Sequence, residues 1–206
     1  MTETADPEVS QAPVLVNGWD AAFCPDPVPT EINGRRMAYA GFYLGGSSAF
    51  HIWSDAERRR LAASRLKAMP IWVPTPGSEN PRQVALAAAA AMQAVRIPHH
   101  ATPWRVLMWD METGVQPDPP WLNVAADTLA SRGYGSLVYG SPGGSGLFSY
   151  APRTGYIVAD FDGKATQYPH AHAVGKQYQA NVPVAGGEVD LDVLDSSILA
   201  HLGSVS

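Results

Sequence analysis

The most informative stretch of this chain is Val106-Leu107-Met108-Trp109-Asp110-Met111-Glu112, an apolar run that ends in two acids. Successive side chains of a strand point to opposite faces, so Asp110 and Glu112 are expected on the same face. Two carboxylates on one face repel each other and are costly to desolvate. Such pairs serve proton transfer, stabilisation of a sugar cation or metal binding. The competing interpretation is a strand that has simply ended in solvent.

Seven further apolar stretches have the length of strands, which gives eight in all. The predicted strands are 14–20, 38–44, 69–73, 106–111, 135–140, 156–161, 173–179 and 188–193. Three helices are expected to begin at caps. Ser54 forms a capping box with Glu57, and prolines directly follow Asn80 and Asp118. A short helix at about residues 196–202 is expected to close the chain.

Strands that alternate with helices are typical of a closed parallel barrel. We therefore expect an α/β fold, a single small TIM-type (β/α)8 barrel at residues 13–203, preceded by a disordered tail at residues 1–12. Because the connections after the fifth strand are short or rich in glycine and proline, helices are predicted to be shortened or missing in the second half. The alternative, a doubly wound open sheet, predicts a glycine-rich turn after the first strand, where Trp19-Asp20-Ala21-Ala22 has none.

Composition and charge exclude several functional classes. The net charge is −5, and the run Arg58–Arg60 lies beside Glu57 in a predicted helix, so no nucleic-acid partner is expected. The single cysteine, Cys24, rules out an intrachain disulfide and a cysteine-based metal site. The two histidines of Pro169–His172 lack a third ligand at a diagnostic spacing, so we expect neither a metal nor a cofactor.

The chain also lacks the sequence features of an exported or membrane-spanning protein. Its first dozen residues are acidic and polar, without the basic start and apolar core of a signal peptide. No apolar stretch reaches the roughly 20 residues that a membrane span needs. We therefore expect synthesis in the cytoplasm and no membrane span.

Acids at strand ends would meet at one rim of a parallel barrel, where the active sites of such barrels lie. The acids at or near predicted strand ends are Asp20, Asp110, Glu112, Asp160, Asp190 and Asp192. The aromatic residues that could line the same pocket are Trp19, Tyr43, Trp72, Tyr139, Tyr156 and Tyr178, although several are expected to pack between barrel and helices instead. Acids can bond hydroxyl groups and aromatic rings can stack on sugar C–H surfaces, so the combination favours a site for a sugar chain.

The order of these residues along the chain resembles the family 25 glycoside hydrolases, lysozymes that cleave peptidoglycan with a shortened barrel. The matching positions are Asp20, Asp110-x-Glu112, Tyr139, Gln177-Tyr178 and Val189-Asp190-Leu191. The second strand, through Gly41–Gly46, also resembles a related bacterial and phage group of glycoside-hydrolase-like barrels. The resemblance covers about residues 14–199.

The resemblance implies four catalytic acids. Glu112 matches the general acid, and Asp110 matches the residue that positions the N-acetyl group of the substrate or steadies the cation. Asp20 and Asp190 match the other two acids of the pocket. The residues expected to bind substrate are Tyr43, Trp72, Tyr139, Tyr156, Asp160, Gln177, Tyr178 and Asp192.

The chain departs from the family pattern at three places. Ala21-Ala22 follows the first acid, where the lysozymes usually have a small residue and then serine. Lys176 stands where an aromatic residue is common, and Asp192 stands where asparagine is common. The extra acid increases the repulsion among the carboxylates of the pocket, and Lys176 is expected to offset it.

The resemblance implies a muramidase-like hydrolase that acts on peptidoglycan or another N-acetylated glycan. Our mechanistic hypothesis is a substrate-assisted route, in which the acetamido oxygen of the sugar is the nucleophile and Asp110 orients it. Without a signal peptide, such an enzyme would reach the cell wall after phage lysis or as part of a virion, with other virion proteins as candidate partners. The alternative is a catalytically silent barrel that binds glycan or serves as a structural component of a phage tail or virion.

Overall fold

The computed structural model describes residues 12–46, 51–75, 77–111, 118–143, 146–151 and 154–205. The predicted disordered tail lies outside these residues, apart from Ala12. Glu112, the predicted general acid, lies outside them as well. Among the described helices, none has the length and apolar character needed to cross a membrane.

The described residues form nine strands and four α-helices. The strands are β1 (Leu15–Ala21), β2 (Glu31–Ile32), β3 (Arg35–Gly46), β4 (Lys67–Val73), β5 (Arg105–Asp110), β6 (Tyr134–Gly140), β7 (Gly155–Ala159), β8 (Ala173–Val184) and β9 (Gly187–Asp195). The helices are α1 (Asp55–Ser64), α2 (Pro81–Ala94), α3 (Pro119–Ser131) and α4 (Ser196–Leu199).

Eight of these strands close into a barrel, as predicted. Neighbouring strands follow the order β1, β9, β8, β7, β6, β5, β4, β3, and the ring closes because β1 pairs in parallel with β3. The short β2 lies outside the ring and pairs only with the start of β3. The barrel end at which β1 and β3 to β8 finish is called the rim below, and the opposite end is called the floor.

The barrel is mixed and not fully parallel, which corrects the sequence expectation. β9 runs antiparallel to both of its neighbours, β1 and β8. The predicted seventh strand was too short, because β8 continues past Gln179 to Val184 and leaves only two residues before β9. A parallel crossover needs a dozen or more residues, so this connection can only form a hairpin. Gly186 in the turn has a φ of +84°, a left-handed conformation that glycine adopts readily.

The helices are concentrated in the first half of the chain, as predicted. Local sequence explains their starts, since the Ser54 side chain accepts a hydrogen bond from Glu57 N, the Asn80 side chain accepts from Arg82 N, and the Asp118 side chain accepts from Trp121 N. Between β6 and β8 the described residues contain one 3-10 turn, at Leu147–Ser149, and no α-helix.

Two apolar cores hold the fold together. The outer core packs helices against the barrel and contains Phe42, Trp53, Leu61, Ala88, Trp109 and Leu129 among others. The inner core fills the barrel and contains Met69, Ile71, Met108, Leu137, Ile157 and Leu194 among others. Ile198 and Leu202 also belong to the inner core and pack against it from the floor.

Candidate functional site

Four acids point into the barrel near its rim, and we call them the acid cluster: Asp20, Asp110, Asp190 and Asp192. Strand alternation explains their direction, since Leu194 lies in the inner core and the two acids of β9 precede it by two and four residues. Asp20 and Asp110 are each only 5% exposed, and Asp192 is 1% exposed.

Because β9 is antiparallel to β1, the first residues of β9 lie at the rim. Asp190 therefore lies directly opposite Asp20, and Asp192 lies opposite Gly18, one layer deeper. The neighbouring strand makes room for this arrangement with a glycine, because a Cβ atom on Gly41 would lie 2.5 Å from the Cβ atom of Asp20. Four of the six acids predicted at strand ends thus lie together near the rim, although β9 runs in the opposite direction to the one predicted.

A single amide connects the two acids nearest the opening. Gln177 Nε2 donates to Asp20 Oδ2 at 3.0 Å and, over a longer 3.5 Å, to Asp190 Oδ2. The Tyr139 hydroxyl donates to Gln177 Oε1, which fixes the orientation of the amide. The backbone N–H of Asn181 donates to Asp190 Oδ1 at 2.7 Å. These bonds hold Asp20 and Asp190 in place before any ligand arrives.

The deepest acid, Asp192, lies in a polar layer below this pair. It shares a side-chain hydrogen bond with Asp20, which requires a proton between the two carboxyl groups. No amide, hydroxyl or cationic donor in the described part of the chain reaches Asp192 Oδ2, and the buried Tyr39 hydroxyl also lacks a partner there. The Tyr39 ring occupies the space beside Gly18, where a Cβ atom would come within 2.2 Å of it.

Burial and mutual repulsion keep protons in the acid cluster. Burial, and then the charges of Asp190 and Asp110, raise the pKa of Asp20 to about 8, although bonds to Asp192 and Gln177 oppose the shift. Burial, followed by the charges of Asp20 and Asp190, raises the pKa of Asp192 well above its ordinary value. A carboxyl group that stays protonated near neutral pH can donate a hydrogen bond or a proton to a ligand.

Tyr43 approaches the acid cluster from β3. Burial, and then the charges of Asp20 and Asp110, raise the pKa of its hydroxyl above the ordinary tyrosine value. The hydroxyl therefore remains protonated throughout the physiological range and can act as a hydrogen-bond donor. Tyr43 also lines the opening of the site together with Asp20.

An open cleft of about 450 Å³ leads from the acid cluster to solvent. Its wall carries Asp20, Asp190, Glu188, Tyr43, Asn181 and the segment Ala21–Phe23. Acids, a tyrosine and small side chains in one cleft suit a ligand that is rich in hydroxyl groups. Within the described residues, no group of three or more His, Cys, Asp or Glu side chains is arranged to hold a metal ion.

Three predicted substrate-binding aromatics lie on the outer side of the barrel wall. The Tyr156 hydroxyl donates to Tyr150 O at 2.6 Å within the outer core. Tyr178 also belongs to that core, with the Arg35 guanidinium 5.7 Å from its ring centre. Trp72 is half-buried and packs against Gly45. Trp19 points outward too, and its indole N–H donates to Pro29 O.

Asp160 and Lys176 pair with each other outside the acid cluster. Gly175 and Gln177 of β8 face the barrel interior, so Lys176 between them faces outward. Its ammonium group lies 2.7 Å from Asp162 Oδ1 and 3.5 Å from Asp160 Oδ2. The expectation that Lys176 offsets the charge of the pocket is therefore wrong, because its charge is matched on the other side of the wall.

Sequence reasoning missed two residues of the site. Tyr39 lies two positions before Gly41 and four before Tyr43, so period-two alternation within the predicted second strand could have placed it on the inner face. Asn181 could not have been identified from the sequence. It contributes only its backbone N–H, which donates to Asp190, and the predicted seventh strand ended before it at Gln179.

The sequence itself matches no protein-family model and no curated protein. Solved structures do match. An uncharacterized B. stearothermophilus protein aligns with a TM-score of 0.71 and 21% identity, over 91% of this chain and 99% of that chain. The bacterial lysozyme from Streptomyces coelicolor aligns with a TM-score of 0.64 and 15% identity, over 90% and 96%. A family 25 glycosyl hydrolase from Bacillus anthracis aligns with a TM-score of 0.62 and 14% identity, over 90% and 93%.

These alignments span nearly the whole barrel, and identities this low establish the fold alone. They agree with the resemblance found in the sequence, since lysozymes of the same family are matched over nine tenths of the chain. This chain therefore has the fold of the family 25 glycoside hydrolases, a small eight-stranded barrel with few helices.

Proposed function

We propose that this protein is a glycoside hydrolase that cleaves the glycan strands of peptidoglycan at the cell wall. The observation that carries the proposal is the acid cluster. Three of its acids are almost fully buried, it holds protons at neutral pH, and it opens to solvent through a cleft. A fold shared with lysozymes supports peptidoglycan as the substrate class.

The proposed reaction divides into two steps. First, the acetamido oxygen of the substrate attacks the anomeric carbon while the bond to the leaving sugar breaks, and Glu112 gives its proton to the departing oxygen. Asp110, inside the rim, orients the acetamido N–H and stabilises the positive charge that develops. Water then opens the cyclic oxazolinium intermediate, and the Glu112 carboxylate recovers a proton from that water.

The other two rim acids are assigned to substrate binding and charge control. Asp20 and Asp190 face the cleft and are fixed by Gln177, so they present oxygens to sugar hydroxyls in a set geometry. The raised pKa of Asp20 keeps the total negative charge low enough for several carboxyl groups to share one pocket.

Release of reducing sugar from purified peptidoglycan, measured from acidic to neutral pH, tests the proposal. We expect the wild-type protein to release it and Glu112→Gln to lose activity by about 10²- to 10⁴-fold, the usual contribution of a general acid. Glu31→Gln is the matched control, because Glu31 is an exposed acid on β2 outside the barrel. Failure of the folded wild-type protein on walls of several compositions would contradict the proposal and favour a silent glycan-binding or structural barrel.

We also propose a phage-encoded lysin or virion component as the biological setting. The support is the sequence resemblance of Gly41–Gly46 to a group of glycoside-hydrolase-like barrels from bacteria and phages. Mass spectrometry of purified phage particles from the source strain tests it, and absence of the protein from both particles and phage lysates would contradict it.

A further inference from the structure

An exposed aromatic ring stands at the edge of the cleft, three residues beyond Asp20. Phe23 is 62% exposed, yet it lines the same cleft as Asp20 and Asp190. One face of its ring is covered by the His51 ring, with ring centres 4.2 Å apart and an angle of 22° between the planes. The solvent-exposed part of the Phe23 side chain is therefore the opposite face of the ring and its edge. We call this pair the Phe23–His51 stack.

The backbone that carries Phe23 is tied down on both sides. The Trp53 indole N–H is shared between Ala21 O and Ala22 O, each at 3.1 Å. On the other side, Cys24 N donates to Glu57 Oε1 at 3.1 Å. These bonds join the segment after β1 to the start of α1, so the exposed ring is held in one place.

The supporting ring is braced as well. His51 Nε2 lies 2.9 Å from Glu57 Oε2, and Ser54 N donates to the same oxygen at 2.7 Å. Burial alone would raise the pKa of Glu57, but the bonds from His51, Ser54 and Cys24 outweigh it and lower the pKa to about 2. Glu57 therefore stays charged at any pH at which the protein would work, and it keeps the imidazole oriented.

We propose that Phe23 is a sugar-stacking residue of the cleft, and that His51 is its positioning residue. The uncovered face of Phe23 receives the C–H surface of a pyranose ring in the N-acetylated glycan, beside the sugar unit held at Asp20 and Asp190. The inference rests on the proposed function, and it adds a binding contact that the resemblance to known lysozymes does not assign.

Continuity with the acid cluster identifies the occupant as a sugar chain. Phe23 lies three positions after Asp20, so their Cα atoms lie within about 11 Å of each other, a span that one disaccharide covers. The two residues between them are alanines, and both line the cleft with small side chains that leave room for a sugar ring. The face of an aromatic ring is electron-rich and attracts partly positive C–H groups, while the acids beside it bind hydroxyls.

Binding of a peptide-free tetrasaccharide of peptidoglycan, measured by calorimetry, tests the inference. Every variant carries Glu112→Gln, so that the ligand is not consumed. We expect Phe23→Ala and Phe23→Leu to weaken binding by about 3- to 10-fold, because both remove the flat ring, and Phe23→Trp to retain it. Phe161→Ala is the matched control, since Phe161 is 54% exposed and does not line the cleft.

The role of His51 has its own test in the same assay. We expect His51→Ala to weaken binding less than Phe23→Ala does. His51→Phe should restore the affinity, because a second ring rebuilds the stack without the bond to Glu57. A purely structural role would instead lower the melting temperature of both His51 variants without any rescue of binding.

The outcomes separate this inference from the proposed function. Equal affinities of Phe23→Ala and its parent overturn the stacking role, and so does a parent protein that binds no glycan. If glycan binding depends on Phe23 while the wild-type protein releases no reducing sugar, the stacking role stands and only the hydrolase proposal fails.

Discussion

Asp20 and Asp190 lie opposite each other on β1 and β9, and the single amide of Gln177 donates to both carboxyl groups. The amide is held in turn by the Tyr139 hydroxyl. Two acids at the mouth of the cleft thus share one neutral donor, so their spacing depends on an uncharged residue.

Replacement of Gln177 by alanine should separate this pair. The buried Asp20 and the half-buried Asp190 would lose their common donor, and we expect a loss of about 1–3 kcal/mol in the free energy of unfolding. Tyr139→Phe removes only the hydroxyl that orients the amide and should cost about 1 kcal/mol. Urea denaturation at neutral pH measures both, and a larger loss for Tyr139→Phe than for Gln177→Ala would contradict this assignment.

Asp192→Asn should stabilise the protein, and the gain should grow with pH. The folded-state pKa of Asp192 is raised, so its contribution to stability is fully present below its ordinary pKa of 3.8 and is lost as pH rises toward the folded pKa. Asparagine can donate to Asp20 without carrying a charge. Each unit of the raised pKa corresponds to about 1.4 kcal/mol.

Thermal melting of both proteins between acidic and mildly alkaline pH checks this prediction. The two melting temperatures should be similar near the ordinary pKa and diverge as pH rises. Glu31→Gln, which changes an exposed acid on β2 outside the barrel, serves as the control and should show no such divergence. A difference between Asp192→Asn and wild type that does not vary with pH would show that the proton is held elsewhere.

Gly41→Ala should displace Asp20. The new Cβ atom would meet Asp20 Cβ at 2.5 Å and Ile71 Cδ1 at 3.0 Å inside the packed barrel. We expect a loss of about 1–3 kcal/mol in stability, typical of an overpacked core, together with weaker glycan binding. Gly143→Ala provides the comparison, because a Cβ atom there would have none of the described atoms within 4 Å. Equal stability of the two variants would mean that the barrel wall yields at Gly41.

Lys176→Met should change stability and leave the cleft unaffected. The lysine is 2% exposed and pairs with Asp160 and Asp162 on the outer side of the wall. Lys176 also holds the pKa of Asp162 below its usual value, so the stability from this pair is present above that usual value and is lost as pH falls. Melting curves and glycan affinity, measured on one preparation, check the two expectations. A clear loss of affinity would indicate that Lys176 acts on the cleft after all.

The sequence indicates which acids lie at strand ends, but not whether each side chain points into the barrel or out of it. Asp20, Asp110 and Asp160 each end an apolar run, and the first two point into the barrel while Asp160 points outward. All five residues of β7, which leads to Asp160, are buried. When both faces of a strand are buried, hydropathy does not distinguish the inner face from the outer one.

The direction of β9 was missed for a different reason. Asn181 and Pro183 resemble loop residues in the sequence, yet β8 continues through both as part of a hairpin that extends beyond the rim. Proline is tolerated in a strand where its missing N–H costs no ladder bond. The predicted number of eight barrel strands was nevertheless correct, because a strand is counted in the same way whichever direction it runs.

The antiparallel β9 also determines where the chain leaves the barrel. Because it descends from the rim, it delivers α4 to the floor, where Ser196 N donates to Val14 O beside the start of β1. The described chain therefore enters and exits on one side, and the cleft opens on the other. A linker, surface or larger assembly attached at either end of the described chain would hold this barrel by its base and leave the acid cluster facing away from the attachment.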